Sequence, residues 1–338
     1  MSLHSSEDEI IELVRKRFTR RGPLIEKGIG DDAAVIRGPG SRARWVITTD
    51  MLVEDIDFRR SWTTAAQLGH KALAENLSDL AAMGAQPRFY TAGLALPREV
   101  THRWLTGFYG GLKGLGDRYG AALIGGDLSS SRSGVFISVT AVGTTGTHDC
   151  VYRHGGRPGD LLCVTGVLGR SAAGLRLLES GVRHSRRAAE CQALEAHRSP
   201  EPRCQSGIWL ARSGLVRCMM DLSDGLSVDL PRLCRASGTG ATIDASALPL
   251  FQECASWGCD PLSAALHGGE DFELLFSVAS CNVAVLLKQY PKHLPPLSVI
   301  GALTARPGVQ MVRAPGNKAV KLLPHGFDHF RRRRHSGG

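Results

Sequence analysis

The sequence predicts a two-domain protein of mixed α/β and α+β class, and three observations carry that prediction. Helical and strand-like stretches are interspersed along all 338 residues, which excludes an all-α or all-β architecture. The length is sufficient for two domains, each with its own core. A Gly- and Thr-rich shift in composition at residues 143–159 divides the pattern. It places an N-terminal domain at 1–148, a C-terminal domain at 149–330 and a basic tail at 331–338.

In order along the chain, Ser6-x-x-Glu9 is a capping box opening a helix with Ile10, Leu13, Val14 and Phe18 on one face. Gly22-Pro23 ends it. The turn Gly28-Ile29-Gly30-Asp31-Asp32 follows, its glycines allowing the backbone close to a ligand, and Ala33 to Ile36 anchors it in a core. Residues 44–49 read as a strand delivering Asp50 at its end. Residues 65–83 form the clearest helix, with Leu73, Leu77, Leu80 and Ala81 as its buried stripe and Gly84 as C-cap. Asn76 and Asp79 share a face of it. A strand at 88–96 is closed by Pro97. Residues 101–119 form a second amphipathic helix, whose Trp104, Phe108, Leu112 and Leu115 read as core. Residues 121–124 read as a buried strand running into Gly125-Gly126-Asp127, and 135–143 as a strand of strong β-formers.

Beyond the boundary, 161–164 is a strand and 171–179 a helix capped by Gly181. Residues 183–203, polar and carrying Pro200 and Pro202, read as a helix and surface loop with little chemistry. Met219-Met220 leads into Asp221-Leu222-Ser223-Asp224-Gly225, then a helix toward Ser237 that Pro231 starts or kinks. A strand at 272–278 follows Gly268-Gly269-Glu270-Asp271, and segments at 283–290, 298–303 and 309–312 complete a mixed layer. Asp127-Leu128-Ser129 and Asp221-Leu222-Ser223 echo one another, each after a short apolar strand.

Composition excludes several classes. Hydrophobic residues at 43% and charged residues at 22% are ordinary for a soluble globular chain. No apolar run approaches a membrane span and no signal-peptide core is present, so no membrane partner and a cytoplasmic location are expected. The nine cysteines are odd in number and contain no C-x-x-C, which indicates neither a zinc knuckle nor a disulfide framework. A net charge of +9 suggests nucleic acid, but it resides in Arg331-Arg332-Arg333-Arg334 and in residues 183–217, while residues 28–79 lean acidic. Aromatics at 6% are too few for base-stacking platforms. No nucleic-acid partner is expected, and the tail reads as a solvated end.

The informative signal is the repetition of carboxylates on turns and strand ends. Asp31-Asp32, Asp50, Asp79, Asp127, Asp221, Asp224, Glu270 and Asp271 sit in comparable short settings. Singly, each is an ordinary turn or helix surface. Together they offer the oxygen ligands that hard cations such as Mg2+ require. A G-x-x-x-x-G-K-[ST] loop is absent. Gly28-x-Gly30-x-x-Ala33 formally matches a dinucleotide fingerprint, but its carboxylates would face the pyrophosphate and no clear strand precedes it. No G-x-S-x-G elbow is present. Carboxylate-bound Mg2+ handling nucleotide phosphates fits the pattern best.

The blocks Gly28-Ile-Gly-Asp-Asp-Ala-Ala-Val, Thr48-Thr-Asp-Met-Leu-Val-Glu, Lys71-Ala-Leu-Ala-Glu-Asn-Leu-Ser-Asp-Leu-Ala-Ala-Met-Gly-Ala, Gly125-Gly-Asp, Asp221-Leu-Ser-Asp-Gly-Leu and Gly268-Gly-Glu-Asp-Phe-Glu-Leu resemble the thiamine-monophosphate kinase family in identity and order. The resemblance spans residues 28–327. It implies Mg2+-dependent transfer of the ATP γ-phosphoryl group to thiamine monophosphate. It also implies the two-domain fold of aminoimidazole ribonucleotide synthetase and selenophosphate synthetase, with an N-terminal α/β domain that pairs in a homodimer and a C-terminal α+β domain. By the same resemblance Asp32, Thr48, Thr49, Asp50, Asp79, Asp127, Asp221 and Asp224 would hold several Mg2+ ions. Tyr109, Gly126, Asp127, Arg153 and Ser223 would contact ATP, and Glu270 and Phe327 the thiamine moiety. The chain departs at Asp57 in Val53-Glu-Asp-Ile-Asp-Phe58, where the family usually has a substrate-contacting His. There the reading leaves two arrangements open, a cation bridging Asp57 to the substrate or a pair with Arg59 or Arg60.

The expected chemistry accounts for the carboxylates independently. The attacking group is a phosphate oxygen, largely ionised at neutral pH because its second pKa is about 6. No general base is needed, and no catalytic residue of that kind stands out. The obstacle is repulsion between two phosphate groups, which divalent ions screen. The rival readings are another ATP-using enzyme of this fold with a different acceptor, and a nucleotide-binding protein without turnover.

Overall fold

The computed structural model describes residues 6–19, 22–38, 43–146, 149–313 and 318–325. Phe327 and the basic tail at 331–338 lie outside the described residues. Up to residue 146 the elements are α1 (Glu7–Phe18), β1 (Ile25–Lys27), β2 (Ala34–Arg37), β3 (Arg44–Val53), α2 (Ala65–Ala82), β4 (Gln86–Leu96), α3 (His102–Tyr119), β5 (Ala122–Ser130) and β6 (Phe136–Thr145). After residue 160 come β7 (Leu161–Thr165), α4 (Arg170–Glu179), α5 (Ala188–Arg198), α6 (Cys204–Ser213), β8 (Val216–Asp221), α7 (Leu226–Ser237) and β9 (Gly240–Asp244). The chain continues with α8 (Pro261–His267), β10 (Leu274–Val278), α9 (Val283–Gln289), β11 (Leu297–Thr304), β12 (Gly308–Val312) and β13 (Val320–Lys321).

The strands form two sheets, ordered β1-β2-β3-β6-β4-β5 and β13-β12-β9-β11-β7-β10-β8. Both are mainly antiparallel, with β4 and β5 parallel in the first and β9 and β12 parallel in the second. The mixed class follows from this arrangement of helices on sheets. On β3 the side chains of Val46, Thr48 and Leu52 are buried while those of Trp45, Thr49 and Met51 face outward, the period of two that a pleated strand imposes. Helix α2 covers the inner face, and Leu68, Leu73, Leu77 and Leu80 pack with Phe108, Leu112, Ile137 and Val139. The same cluster continues through Met219, Leu274 and Phe276 of the second sheet, so one core joins both halves.

Several expectations need correction. Strand β3 does not stop at Asp50. It runs on through Met51-Leu52-Val53, pairs with β6 along its length and leaves Asp50 mid-strand. Of the stretch read as buried at 121–124 only Ala121 is so; the rest begins β5, an edge strand exposed along all of Ala122–Ser130, which no element among the described residues covers. The predicted capping box of α1 is present, yet its apolar side is not packed and Phe18 is 74% exposed. Of the two placements expected for Pro231, the start of the helix is excluded, since it lies inside α7.

Backbone-close contacts set how α2 and α3 cross. A Cβ at Gly111 would sit 1.9 Å from the Ala66 carbonyl oxygen, and one at Gly69 would sit 2.0 Å from that of Phe108. Gly114 on the same helix has nothing within 4 Å of its Cβ position. Helix propensity favours Ala over Gly by about 1 kcal/mol at either site. Forcing an extra carbon into packed backbone costs about 1–3 kcal/mol or more. Gly114→Ala is therefore expected to raise the urea midpoint and Gly111→Ala to lower it, with the slope unchanged. Equal midpoints for the two variants would show that the helices part without cost.

Candidate active site

Three carboxylates from separate parts of the fold converge where the two sheets meet around α2. Asp32 comes from the turn before β2, Asp79 from the last turn of α2 and Asp221 from the end of β8, with oxygens all within 4.8 Å of one another. Each is oriented by a neighbour. Thr48 Oγ1 donates to Asp79 Oδ2, and Ser78 Oγ donates to Asp221 Oδ2 at 2.7 Å. The Arg153 guanidinium donates from Nε (3.0 Å) and Nη2 (2.5 Å) to Asp32 Oδ1, while its backbone N–H donates to Asp31 Oδ1 at 3.0 Å. Asp50 reaches the same space from the inner face of β3 and acts electrostatically on Asp79 and Asp221.

Burial, reinforced at Asp32, Asp79 and Asp221 by neighbouring like charges, holds these groups well above the usual carboxylate range. Burial pushes Asp32 up to about 7, with Asp221 and Asp31 adding to the rise and Arg153 opposing it. Burial raises Asp50 to about 6. Burial raises Asp221 to about 6 too, Ser78 and Arg153 opposing and Asp50 and Asp224 adding. Asp79 is shifted upward by burial, then by Asp50, Asp221 and Asp32. Among the described residues, Asp32 Oδ2 and Asp50 Oδ2 are buried without a hydrogen-bond partner. Unpaired anionic oxygens that converge in a buried space suit a divalent cation, which neutralises the repulsion and fills the empty acceptor positions.

A second cluster adjoins the first along α2. Lys71 Nζ contacts Glu270 Oε1 at 2.6 Å, and His197 Nδ1 contacts Glu270 Oε2 at 3.1 Å. Glu75 lies between the clusters, close enough to Asp50, Lys71, Glu270 and Asp57 for its carboxyl to be driven up by burial and by those anions against Lys71. Glu270 occupies a left-handed backbone position at φ 64°, as does Phe272 at 49°. The loop is tied down on both sides. Glu270 N–H donates to the Ser223 carbonyl at 2.7 Å, and Asp271 accepts from Gly169 N–H at 2.6 Å, capping α4.

The structure thus brings together Asp32, Thr48, Asp50, Asp79, Asp221 and Arg153, and places Glu270 beside them. Other expected residues fall elsewhere. Thr49 follows Thr48 on a strand, so its side chain points to the opposite face, where its hydroxyl donates to the Val139 carbonyl at 3.1 Å. Asp127 pairs in register with Gly93 across from Ser138 and Met51, which puts it on that outer face as well. Gly126 is packed against β4, where a Cβ would lie 2.1 Å from the Ala92 carbonyl oxygen. Tyr109 lies edge-on to Phe108 at 5.7 Å. Among the described residues neither hydrogen-bonds to the carboxylates. Asp224 pairs with Arg232, and Ser223 serves the Glu270 loop through its carbonyl. Asp57 accepts from Val53 N–H at 2.8 Å and adds to the negative field around Lys71, while Arg60 is held by Glu54 and Glu99 and Arg59 reaches Asp55.

The segment at 183–203, expected to carry little chemistry, supplies two of the groups here. His197 reaches Glu270, and Arg203 forms a bidentate pair with Glu273 at 2.6 and 2.7 Å. Lys71 and Ser78 were visible only as members of a helical motif, with no local sign of their partners.

The chain is similar to known proteins over most of its length. Residues 30–145 match the family described as AIR synthase related protein, N-terminal domain, and residues 157–313 match its C-terminal domain. Thiamine-monophosphate kinase of Rhodopirellula baltica is 35% identical, with 96% of this chain and 97% of the relative covered. That of Escherichia coli K12 is 37% identical, with 90% and 92% covered. A solved structure of AaThiL complexed with AMPPCP and TMP superimposes with a TM-score of 0.83 at 30% identity, covering 97% of this chain and 99% of that one. The hydrogenase maturation protein HypE of E. coli shares the fold, with a TM-score of 0.69 at 21% identity and 94% and 97% covered.

The raised pKa values carry a sign that can be measured. A carboxyl whose pKa is higher folded than unfolded stabilises the fold at pH below its unfolded value, near 4, and loses that contribution as pH climbs through the folded value. With Asp50 and Asp221 at about 6 and Asp32 at about 7, the metal-free protein should lose thermal stability between pH 5 and pH 8. Added Mg2+ should restore it, and more at pH 8 than at pH 5, because protons compete for the same oxygens. A melting temperature indifferent to Mg2+ at pH 8 would contradict the cation site.

Proposed function

This chain belongs to the thiamine-monophosphate kinase family, and we propose that it transfers the γ-phosphoryl group of ATP to thiamine monophosphate, yielding thiamine diphosphate and ADP. The observation that carries this reading is the meeting of Asp32, Asp79 and Asp221 within 4.8 Å, bordered by Arg153 and Asp50. The names of the relatives, and the complex of AaThiL with an ATP analogue and TMP, supply the acceptor.

The nucleophile is a phosphate oxygen that is already ionised near neutral pH, so the protein has no proton to remove. The groups at the cluster are carboxylates, two hydroxyls and a guanidinium, a set suited to charge management rather than acid–base work. Asp32, Asp50, Asp79 and Asp221 would hold Mg2+, which when bound supplies the positive charge that screens the phosphates from each other. Thr48, Ser78 and Arg153 keep the carboxylates aimed at that space. Glu270, fixed 2.6 Å from Lys71, offers a negative charge to the thiazolium cation of the acceptor. Water exclusion by the surrounding core strengthens each of these interactions.

A homodimer is part of this reading. Strand β5 presents nine exposed residues, including Ile124 at 61% and Leu128 at 59%, on an edge with no partner strand among the described residues. Long apolar edges of this kind are covered in native proteins, and a two-fold copy is the simplest cover. No helix among the described residues is long and apolar enough to cross a membrane, which is compatible with a cytoplasmic location.

Incubation with ATP, Mg2+ and thiamine monophosphate, followed by separation of products, tests the activity. Thiamine diphosphate with equimolar ADP is expected; ADP with free phosphate, or no reaction, would reject it. Asp50→Asn and Asp79→Asn should each fold and lose at least roughly a hundredfold in kcat/KM, ~2.7 kcal/mol of transition-state stabilisation. Near-normal turnover in both would remove the metal assignment. Ile124→Asp should shift the sedimentation coefficient from dimer to monomer, and a parent chain already monomeric at micromolar concentration would refute the dimer.

A further inference from the structure

We propose that Lys71 and His197 are positioning residues that together fix Glu270 as the receptor for the cationic part of the acceptor. The inference rests on the reading given above and extends it to two side chains outside the Asp cluster.

Glu270 is held from both halves of the fold. Lys71 stands on α2 under the first sheet, only 3% exposed, and its ammonium meets Oε1 at 2.6 Å. His197 stands at the end of α5 in the second half, and its Nδ1 meets Oε2 at 3.1 Å. An ionised carboxylate only accepts hydrogen bonds, so a hydrogen bond along this contact requires the imidazole proton on Nδ1. Ser171 Oγ lies 3.1 Å from that same nitrogen and steadies the ring. Burial, and then the nearby Lys71 charge, lower the His197 pKa, so it acts as a neutral donor. Each Glu270 oxygen retains acceptor capacity for a ligand after these contacts.

The backbone explains why two holders are present. A non-glycine residue at φ 64° is in a sparsely populated conformation that persists only where surrounding contacts over-determine it. The two side-chain contacts, with the Glu270 N–H bond to Ser223 at 2.7 Å, do so here. Glu75 and Asp57 also face Lys71, which keeps the buried ammonium charged despite its desolvation. Without Lys71, three carboxyls would share the space with little to offset them. Glu270 would then take up a proton or turn away, and its attraction for a cation would go.

A kinetic double-mutant cycle tests this. Lys71→Met is expected to raise KM for thiamine monophosphate by at least tenfold while leaving KM for ATP within about twofold. In a Glu270→Gln background the same change should add almost nothing, because the residue it positions is already gone. His197→Asn, whose amide can still donate, should keep most of the acceptor affinity that His197→Leu loses. Additive losses in the cycle would overturn the proposal and show that Lys71 touches the substrate itself. Equal increases in both KM values together with a lowered melting temperature would reduce Lys71 to a structural role. If Lys71→Met fails to fold, the two His197 variants decide, and equal behaviour of Asn and Leu overturns the proposal. Failure of the parent chain to phosphorylate thiamine monophosphate would remove the functional reading and this inference with it; turnover with an additive cycle would remove only the inference.

Discussion

Mutual repulsion among buried carboxylates is the constraint that the rest of this structure answers. Asp32, Asp79 and Asp221 lie within 4.8 Å of one another, and each is raised in pKa by its neighbours as well as by burial. No packing of apolar side chains could assemble such a group spontaneously. It is held by a ring of single-purpose contacts, Thr48 on Asp79, Ser78 on Asp221 and Arg153 on Asp32, mounted on rigid elements. The stabilisation that opposes the repulsion comes from the core around Leu73, Leu77 and Leu80 on the other side of the same helix. A helix apolar on one side and chemically loaded on the other is how the fold keeps a strained polar site without losing its architecture.

Much of that site was legible in the sequence because its parts are local. Asp32, Asp50, Asp79 and Asp221 each occur in a short block bounded by glycine or an apolar strand, so position along the chain reports position in the fold. Period-two alternation accounts for the expected residues that fall away from this cluster. Thr48 and Thr49 are neighbours on β3 and face opposite sides of the sheet, as Asp127 faces away along β5. His197 and Arg203 were invisible for a different reason. Their partners Glu270 and Glu273 are far along the chain, and a polar segment with two prolines gives no local sign that it will fold back on a buried carboxylate. Tertiary pairing of this sort has no period and no spacing.

Burial was legible only as an intention. The sequence marks Phe18 and the start of β5 as apolar and periodic, and both elements form where expected. What covers them is not encoded in their own pattern. A hydrophobic stripe states that a surface is to be removed from water and is silent about whether the same chain removes it. Exposed apolar side chains lie on α1 and along the first sheet, and also on α9 and around β13, where Val285, Leu287, Val320 and Leu323 stand out among the described residues.

Helix α2 belongs to both halves at once. Its Ala81 carbonyl is packed 2.0 Å from where a side-chain carbon of Gly207 on α6 would stand, its Leu77 carbonyl receives the Cys204 thiol at 3.5 Å, and its leucines serve the first sheet. The family boundaries that divide the sequence near residue 150 therefore do not divide the molecule mechanically. A gene fragment ending there would leave one flank of α2 bare, and the complementary fragment would lack the floor of its own core. Recombination between relatives is tolerated only where both pieces carry matching surfaces on this one helix, so its sequence must change in step with two sheets, whereas a helix that packs on one sheet answers to a single neighbour.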